Sequence, residues 1–479
     1  MQTIQERISK WMAAAFALVM AGYAAVAVAD AFHLLRVPME LDYEEGNVLN
    51  AGLRIVQGLT PYPDPHGWPV AFNPYGPLAY LSTAALIKVF GVSFTAPRVF
   101  VVLCAVGVAG LLMVLLRHFG NSWSAAIGFG CLFLCVPTIR TWMPILRVDF
   151  LGLALTVAGL CVFFMAPRRW YIAVVFLVAA LFVKYSLLAA PASCGLYLVI
   201  QRDWKRLGKS LGLGAALVIA GSSAAQIWSG GHFAFQMFGT HPDPFQFSAY
   251  LKHLRLLSME LPVIWGLVVV AIVFDVVRKK MSLGPLYFLM ALCGAITAGK
   301  LGSNVNHLFE LIAASCLCAG LGWNEMSAWA KAKGAAILPA SVLAVVVSAT
   351  LAVFSLHFRR VDASGCEREY AFLRSHGDQM LSENVGALVL SGKPVLLSSP
   401  YVFAQLVMHR AWPDAPVRDR LRQKQFDAVV LHRGIAPSDR WTPEVLADID
   451  QNYYLGKDFG CWEAERVYLP KVATQPKGR

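Results

Sequence analysis

Leu41-Asp42-Tyr43-Glu44-Glu45-Gly46 sets three carboxylates within four residues, directly after an apolar segment that ends near Leu35. Residues 1–356 hold only 14 acidic side chains against 24 Lys and Arg, so this is a concentration. Carboxylates beside hydrocarbon are costly unless they are solvated, paired or engaged in chemistry. The stretch decides the fold because it marks where the chain first leaves an apolar environment for a polar one. A solvated loop start is the plain reading of such a cluster, and the rest of the chain must argue for more.

The chain around it has 479 residues, of which 57% are hydrophobic and 15% charged, with a mean hydropathy of +0.56. No soluble domain keeps that balance over such a length, so the sequence reads as a polytopic membrane protein. Of the net charge of +12, the first 356 residues supply +10, and the tail, with 17 basic and 15 acidic residues, supplies +2. An excess in short loops fits positive-inside anchoring and speaks against nucleic acid as a partner.

Apolar runs of spanning length lie at about 11–35, 98–116, 123–138, 150–166, 170–201, 209–228, 259–277, 283–299, 308–323 and 335–356. The run at 170–201 exceeds one helix and contains Pro191, so it is split near Ser186. The weaker run at Pro77–Gly91 is read as a juxtamembrane or re-entrant helix. With that choice Arg7/Lys10, Arg117, Arg168-Arg169, Arg202/Lys205/Arg206/Lys209, Arg278-Lys279-Lys280 and Lys331/Lys333 all fall on one, cytoplasmic side.

The expected architecture is therefore an all-α polytopic domain over residues 1–356 with about eleven transmembrane helices. A small extracytoplasmic α/β domain over 357–479 follows it. The N-terminus is inside, the tail outside. Arg7, Lys10, the apolar run from Trp11 and Ala27-Val28-Ala29 also resemble a signal peptide, but the run is long for one and is read as a retained helix. The outer face receives the loops at 36–97, 139–149, 230–258 and 300–307. In the tail, Val395-Leu396-Leu397, Ala428–Leu431 and Ala464–Leu469 read as short strands, with Gly434 and Pro437 as punctuation. No glycine-rich phosphate loop and no nucleophile elbow is present.

The first outer loop continues through Gly58-Leu59-Thr60-Pro61-Tyr62-Pro63-Asp64 to Phe72-Asn73-Pro74-Tyr75-Gly76-Pro77. Prolines, glycines and tyrosines at this density make a rigid, mostly non-helical segment. The acidic pair after the first helix, the Gly-x-x-x-Tyr-x-Asp turn, Asn-Pro-Tyr-Gly-Pro-Leu and Arg98 after Gly91-Val92-Ser93 resemble the GT-C glycosyltransferases. More narrowly, the pattern is similar to the bacterial branch near protein O-mannosyltransferases, lipid A aminoarabinose transferases and rhizobial galacturonosyltransferases, over roughly residues 30–325.

This resemblance implies a hexosyl or pentosyl transferase of the bacterial inner membrane. Its donor would be a polyprenyl-phosphate-linked sugar, and its acceptor an envelope glycan, lipid or protein. Asp42 matches the position of the base that deprotonates the acceptor; a carboxylate within hydrogen-bond reach of a hydroxyl is suited to that task. Glu44 and Glu45 would share the role or hold the acceptor. Asp149, in Arg147-Val148-Asp149, matches the second acidic position; Arg147 either neutralises it or contacts phosphate. Developing charge on the leaving phosphate calls for cations, and Lys184 and Lys300 are candidates. Asn306, His307 and Glu310, in the polar stretch Lys300–Glu310, would line the same pocket, with Tyr62 and Tyr75 as further substrate contacts.

No cofactor is expected. Some members use a divalent cation at the acidic site; the similar branch generally does not. His232, His241, Asp243 and His253 have no metal-ligand spacing. The rival reading is a glycolipid transporter or flippase, which should show mid-membrane ionisable residues and two similar halves; neither is seen. Eight of the ten cysteines lie in apolar segments, whereas Cys366 and Cys461 stand alone in the tail and are expected to form a disulfide in an oxidising compartment.

Overall fold

The computed structural model describes residues 2–240, 244–335, 337–354, 357–432, 440–459, 461 and 465–471. The chain is mostly helical, and every apolar run anticipated above is a helix or a helix pair. The first helices are α1 (Gln2–Leu34), α2 (Glu45–Val56), α3 (Pro77–Phe90), α4 (Thr95–His118) and α5 (Trp123–Cys135). They are followed by α6 (Pro137–Trp142), α7 (Asp149–Met165), α8 (Trp170–Leu181), α9 (Ala189–Ile200) and α10 (Trp204–Trp228). Then come α11 (Phe247–Glu260), α12 (Pro262–Val277), α13 (Leu283–Gly294), α14 (Phe309–Ala332) and α15 (Ile337–Val353). The expected break in the run at 170–201 falls between α8 and α9, and Lys184 sits in it.

Among the described residues, four segments are individually long and apolar enough to cross a bilayer: Ile4–Leu34, Thr95–His118, Trp204–Trp228 and Val305–Ala332. A fifth arises if α11 and the helix after it, bent by 96°, are counted together, and six apolar helices of 10–17 residues are shorter. A straight helix needs about 20 residues to span hydrocarbon. Of the short ones, Ala189–Ile200 follows the break that carries Lys184.

The chain divides into two compact units. The first comprises Met1–Leu34, Val99–Gly221 and Pro244–Arg359. Within it α1 packs on α5 and α15, α7 on α8, α9 on α13, and α14 on α12 and α13. The α1–α5 crossing is close because Gly128 has no side chain: a Cβ there would overlap the Phe16 ring. Phe16 instead meets Phe129 edge-on at 5.1 Å. Buried Asp30, near the end of α1, collects Arg140 Nε at 3.1 Å and Arg359 Nε at 2.9 Å. Arg359 also donates to the Thr141 and Arg140 carbonyls, which ties the segment after α15 to the last turn of α6.

The second unit comprises Leu35–Arg98, Ser222–Asp243 and Arg360–Arg479. The expected boundary at 357 lies close to one seam, but this unit also takes in the first polar loop, and within it α3 packs on α2. The tail adds α16 (Cys366–Ser375), α17 (Val385–Leu390), α18 (Pro400–Met408), α19 (Ala415–Arg422) and α20 (Pro443–Asn452). Its sheet consists of β1 (Met380–Ser382), β2 (Ala428–His432), β3 (Tyr453–Phe459) and β4 (Glu465–Pro470), in the order β1-β2-β4-β3. β1 is parallel to β2, and β4 is antiparallel to both of its neighbours.

Of the three anticipated strands, the one at 428–431 forms as β2. The one at 464–469 forms as β4, with Ala464 outside the described residues, as are Gly434 and Pro437. Val395–Leu397 is not a strand of the sheet. It makes a single parallel bridge to the first loop, where Val70 N–H donates to the Leu396 carbonyl at 2.9 Å and Ser398 N–H to the Val70 carbonyl at 3.1 Å. A short buried apolar run looks alike in sequence whether it pairs in a sheet or crosses under a loop. Gln236 joins the 222–243 stretch to the same unit: its amide nitrogen donates to the Ala71 carbonyl at 2.9 Å, and its oxygen accepts from Asn73 N–H at 2.9 Å. Cys366 and Cys461 are bonded to each other, as expected.

Candidate functional site

The acidic stretch folds as a turn that feeds α2. Asp42 Oδ1 accepts from Glu44 N–H at 3.2 Å, and the Asp42 carbonyl accepts from Glu45 N–H at 3.0 Å. Such side-chain-to-backbone bonding is the usual behaviour of an Asp that starts a turn. Asp42 stays half-exposed. Glu44, also half-exposed, accepts from the Asn47 amide at 3.2 Å.

Glu45 has a different place. It is fully buried and clamped by Arg98, whose Nε and Nη2 donate to its two oxygens at 2.9 and 2.6 Å. Arg98, itself fully buried, also donates to the Val37 carbonyl at 2.7 Å and the Met39 carbonyl at 2.5 Å. A bidentate, fully desolvated pair of this kind fixes the path of the chain. Glu45 thus anchors the loop, whereas the sequence reading set it beside Asp42 as catalytic. Glu40, which that reading passed over, is buried and accepts from Gly386 N–H at 2.5 Å. Burial pushes its carboxyl well above the usual range, and the nearby Glu45, Asp42 and Glu44 push the same way. Gly46 is required here, because a Cβ would overlap both the Glu40 carboxylate and the Gly386 nitrogen.

Tyr43 shares a hydrogen bond with Ser399 at 3.2 Å and lies under Arg440 at 4.5 Å. Tyr62 is fully buried; its hydroxyl donates to the Tyr75 carbonyl at 2.7 Å, and its ring meets Phe233 at 5.2 Å. It holds the loop, while Tyr75 remains half-buried.

The first unit carries a second constellation. Asp149 opens α7 and is buried; its Oδ1 accepts from Lys184 Nζ at 2.5 Å and from the Asn306 amide at 3.1 Å. Its Oδ2 has no hydrogen-bond donor among the described residues and lies 3.8 Å from Arg147 Nε. Arg147 stacks over Trp142 at 5.4 Å. Asp149, Lys184, Asn306, His307 and Glu310 line one pocket together with Thr297 and Ser186. His307 Nδ1 lies 2.9 Å from Thr297 Oγ1, and Glu310 accepts from Ala190 N–H at the start of α9 at 3.1 Å. Five of the anticipated residues are therefore gathered, with Arg147 adjacent. Lys300 is exposed and does not line the pocket.

The pocket's chemistry is that of an anion site: an ammonium and an amide donor converge on one carboxylate oxygen, and Lys184 has donors beyond the one it gives Asp149. Among the described residues no group of three His, Cys, Asp or Glu could hold a metal. His232 stands 4.0 Å from Asp64, and His253 faces the Ala298 carbonyl at 3.1 Å. His241 and Asp243 lie outside the described residues.

No family model matches the chain, and no curated protein matches it. Solved structures do. ArnT from Cupriavidus metallidurans in the apo state aligns over 94% of this chain and 97% of its own, with a TM-score of 0.62 at 13% identity. The same protein bound to undecaprenyl phosphate aligns over 95% and 98%, with a TM-score of 0.63 at 13% identity. This is the GT-C fold. The archaeal oligosaccharyltransferase AglB from Archaeoglobus fulgidus, in complex with an inhibitory peptide and a dolichol-phosphate, aligns over 97% of this chain and 75% of its own, with a TM-score of 0.51 at 11% identity. The GT-C likeness extends through the tail, beyond the 30–325 stretch whose motifs carried the resemblance. Identity this low carries the fold and leaves the chemistry to the residues.

Three structural supports lie outside what sequence reasoning singled out: Glu40, the Glu45–Arg98 clamp and the Asp30–Arg140–Arg359 cluster. In the sequence Arg98 stands out only as part of a motif. The available signal was that acids so close to an apolar run each need a partner.

Proposed function

We propose that this chain is an integral membrane glycosyltransferase of the bacterial inner membrane. It moves a sugar from a polyprenyl-phosphate carrier to an envelope glycan, lipid or protein acceptor at the outer face. The observation that carries the reading is the buried Asp149–Lys184–Asn306 cluster, lined further by His307 and Glu310, in a chain with the GT-C fold. Structures of that fold have been solved with undecaprenyl phosphate and with dolichol-phosphate, which supports a lipid-phosphate donor.

In this reading Lys184 and Arg147 meet the carrier phosphate, and Asn306 and His307 hold the sugar–phosphate junction. Half-exposed Asp42 takes the proton from the acceptor hydroxyl as C1 of the sugar is attacked, and Glu44 orients the acceptor. General-base assistance of this kind is worth about 10²–10⁴-fold. The phosphate leaves as an anion, whose charge Lys184 offsets. No cofactor enters. The topology proposed with it has about eleven spans, the N-terminus inside and the polar tail outside. The Cys366–Cys461 bridge supports that placement, since disulfides persist in oxidising compartments.

The test is a binding measurement on the purified protein by native mass spectrometry. Undecaprenyl phosphate is expected to be retained and undecaprenol to be lost, and Lys184→Met should lower phosphate retention at least about tenfold, the worth of a charge-assisted hydrogen bond. Equal retention of phosphate and alcohol by the wild type would overturn the assignment.

A further inference from the structure

The polar tail holds the segment Pro38–Tyr43, which contains Asp42, at Pro38, Met39, Glu40 and Tyr43. From α16, Tyr370 Oη donates to the Pro38 carbonyl at 2.5 Å. The Cys366–Cys461 bridge lies against Met39, whose Sδ is 3.1 and 3.5 Å from the two sulfurs. Glu40 reaches α17 at Gly386 N–H. Tyr43 reaches α18. Pro400 opens that helix and has no N–H, so its first donors to be satisfied are those of Tyr401 and Val402. Val402 N–H donates to Ser399 Oγ at 3.4 Å, as in an ordinary N-cap, and Tyr401 N–H donates to Tyr43 Oη at 3.3 Å. The Tyr43 O–H is left to donate to Ser399 Oγ, 3.2 Å away. The Arg440 guanidinium covers the Tyr43 ring at 4.5 Å and is itself held by buried Glu383 at 2.9 Å.

Asp42 and Glu44 flank Tyr43, and Glu44 N–H is a donor to Asp42 Oδ1 at 3.2 Å. A shift of Tyr43 therefore moves the Asp42 carboxylate and this donor together. A base must lie within hydrogen-bond reach of the proton it takes, and a misplacement of about 1 Å can cost about a hundredfold in rate. We propose that Tyr43 is a positioning residue for Asp42, and that the polar tail serves transfer by holding Tyr43 through Ser399, Tyr401 and Arg440. The inference rests on the reading of Asp42 as the base. It gives the tail a part in the reaction through the loop that it grips.

Purified full-length wild type, Tyr43→Phe, Ser399→Ala and Asp42→Asn are given the lipid and glycan extract of a strain lacking the protein. Release of free polyprenyl phosphate is followed by mass spectrometry over a range of extract concentrations. Tyr43→Phe keeps the ring under Arg440 and loses only the hydroxyl. Its maximal rate is expected to fall about tenfold, less than a full misplacement would cost. The extract concentration giving half that rate, and the retention of undecaprenyl phosphate in native mass spectrometry, should stay as in wild type. Amide hydrogen exchange at Glu44 and Glu45, whose N–H groups Asp42 accepts, should quicken in the same variant. A wild-type maximal rate in Tyr43→Phe beside an inactive Asp42→Asn would overturn the positioning role and leave the base in place. An active Asp42→Asn would overturn the reading of Asp42, and this inference with it. A rate loss matched by an equal loss of undecaprenyl phosphate retention would overturn it too, as general damage. If Tyr43→Phe does not fold, Ser399→Ala decides: it removes the acceptor of the Tyr43 hydroxyl and should slow transfer in the same way, and a wild-type rate overturns the proposal.

Discussion

Two loops in this protein place an aspartate where an apolar helix gives way to polar chain, and they treat its charge in opposite ways. In the first, the buried acid is Glu45, and its partner Arg98 commits four of its five N–H donors: two to the carboxylate and two to backbone carbonyls. Asp42, three residues earlier, stays half-exposed. In the second loop the aspartate itself is buried, and its partner is Lys184, a point charge held at 2.5 Å by a single oxygen. Arg98 gives four of its five donors to holding structure, whereas Lys184's ammonium and Asp149 Oδ2 have more capacity left to bind something else. An ion pair in a membrane protein is thus no mark of function in itself; what counts is how much of its hydrogen-bonding capacity is left.

The sharpest way to break this contrast is within the first loop. Asp42→Asn should lower transfer by about 10²–10⁴-fold with the melting temperature unchanged, because it removes a base while keeping an oxygen for Glu44 N–H. Near-wild-type turnover of the purified variant would move the role to Glu44.

Arg98→Met should do the reverse. It strands Glu45 as an uncompensated buried charge, at a cost of about 3–5 kcal/mol of stability. Denaturant titration should show the loss, and Lys184→Met compared in parallel should lose carrier binding in addition. Equal stability of Arg98→Met and wild type would remove the anchor from the argument.

A smaller effect concerns pH. Burial raises the Glu40 carboxyl above its ordinary value, so the folded loop holds a proton that the unfolded chain has already released. Stability of the second unit should therefore be greater near pH 5 and fall as pH rises towards 8. Buried Glu369 and Glu465, whose carboxyls burial also raises, contribute in the same direction. Glu40→Gln should make the decline shallower in thermal unfolding; parallel curves for the two proteins would contradict this. The least effect is expected at exposed Lys300: Lys300→Ala should change stability by no more than about 0.5 kcal/mol and leave carrier binding in place.

The helices were legible because a bilayer demands long apolar runs, and the break that carries Lys184 was visible as a run too long for one span. The gathering of Asp149, Lys184, Asn306, His307 and Glu310 was anticipated from a shared side of the membrane. The Glu45–Arg98 clamp was hidden, since its partners are 53 residues apart and three acids in one turn look alike until burial separates them. The same holds for Val395–Leu397, whose apolar run reads as a strand although its partner is a single residue of the first loop. The Cys366–Cys461 bridge was legible by elimination, as the tail has no other cysteine.

The central claim is that sugar leaves a lipid phosphate on this protein. Purified wild-type protein should be incubated with the lipid and glycan extract of a strain lacking it, and the carrier followed by mass spectrometry. The account predicts that glycosylated polyprenyl phosphate is consumed while free polyprenyl phosphate and one newly glycosylated acceptor appear in equal amounts, and that Asp42→Asn produces neither. A glycosylated carrier left chemically unchanged by active, folded wild-type protein would contradict it, and would favour a transporter.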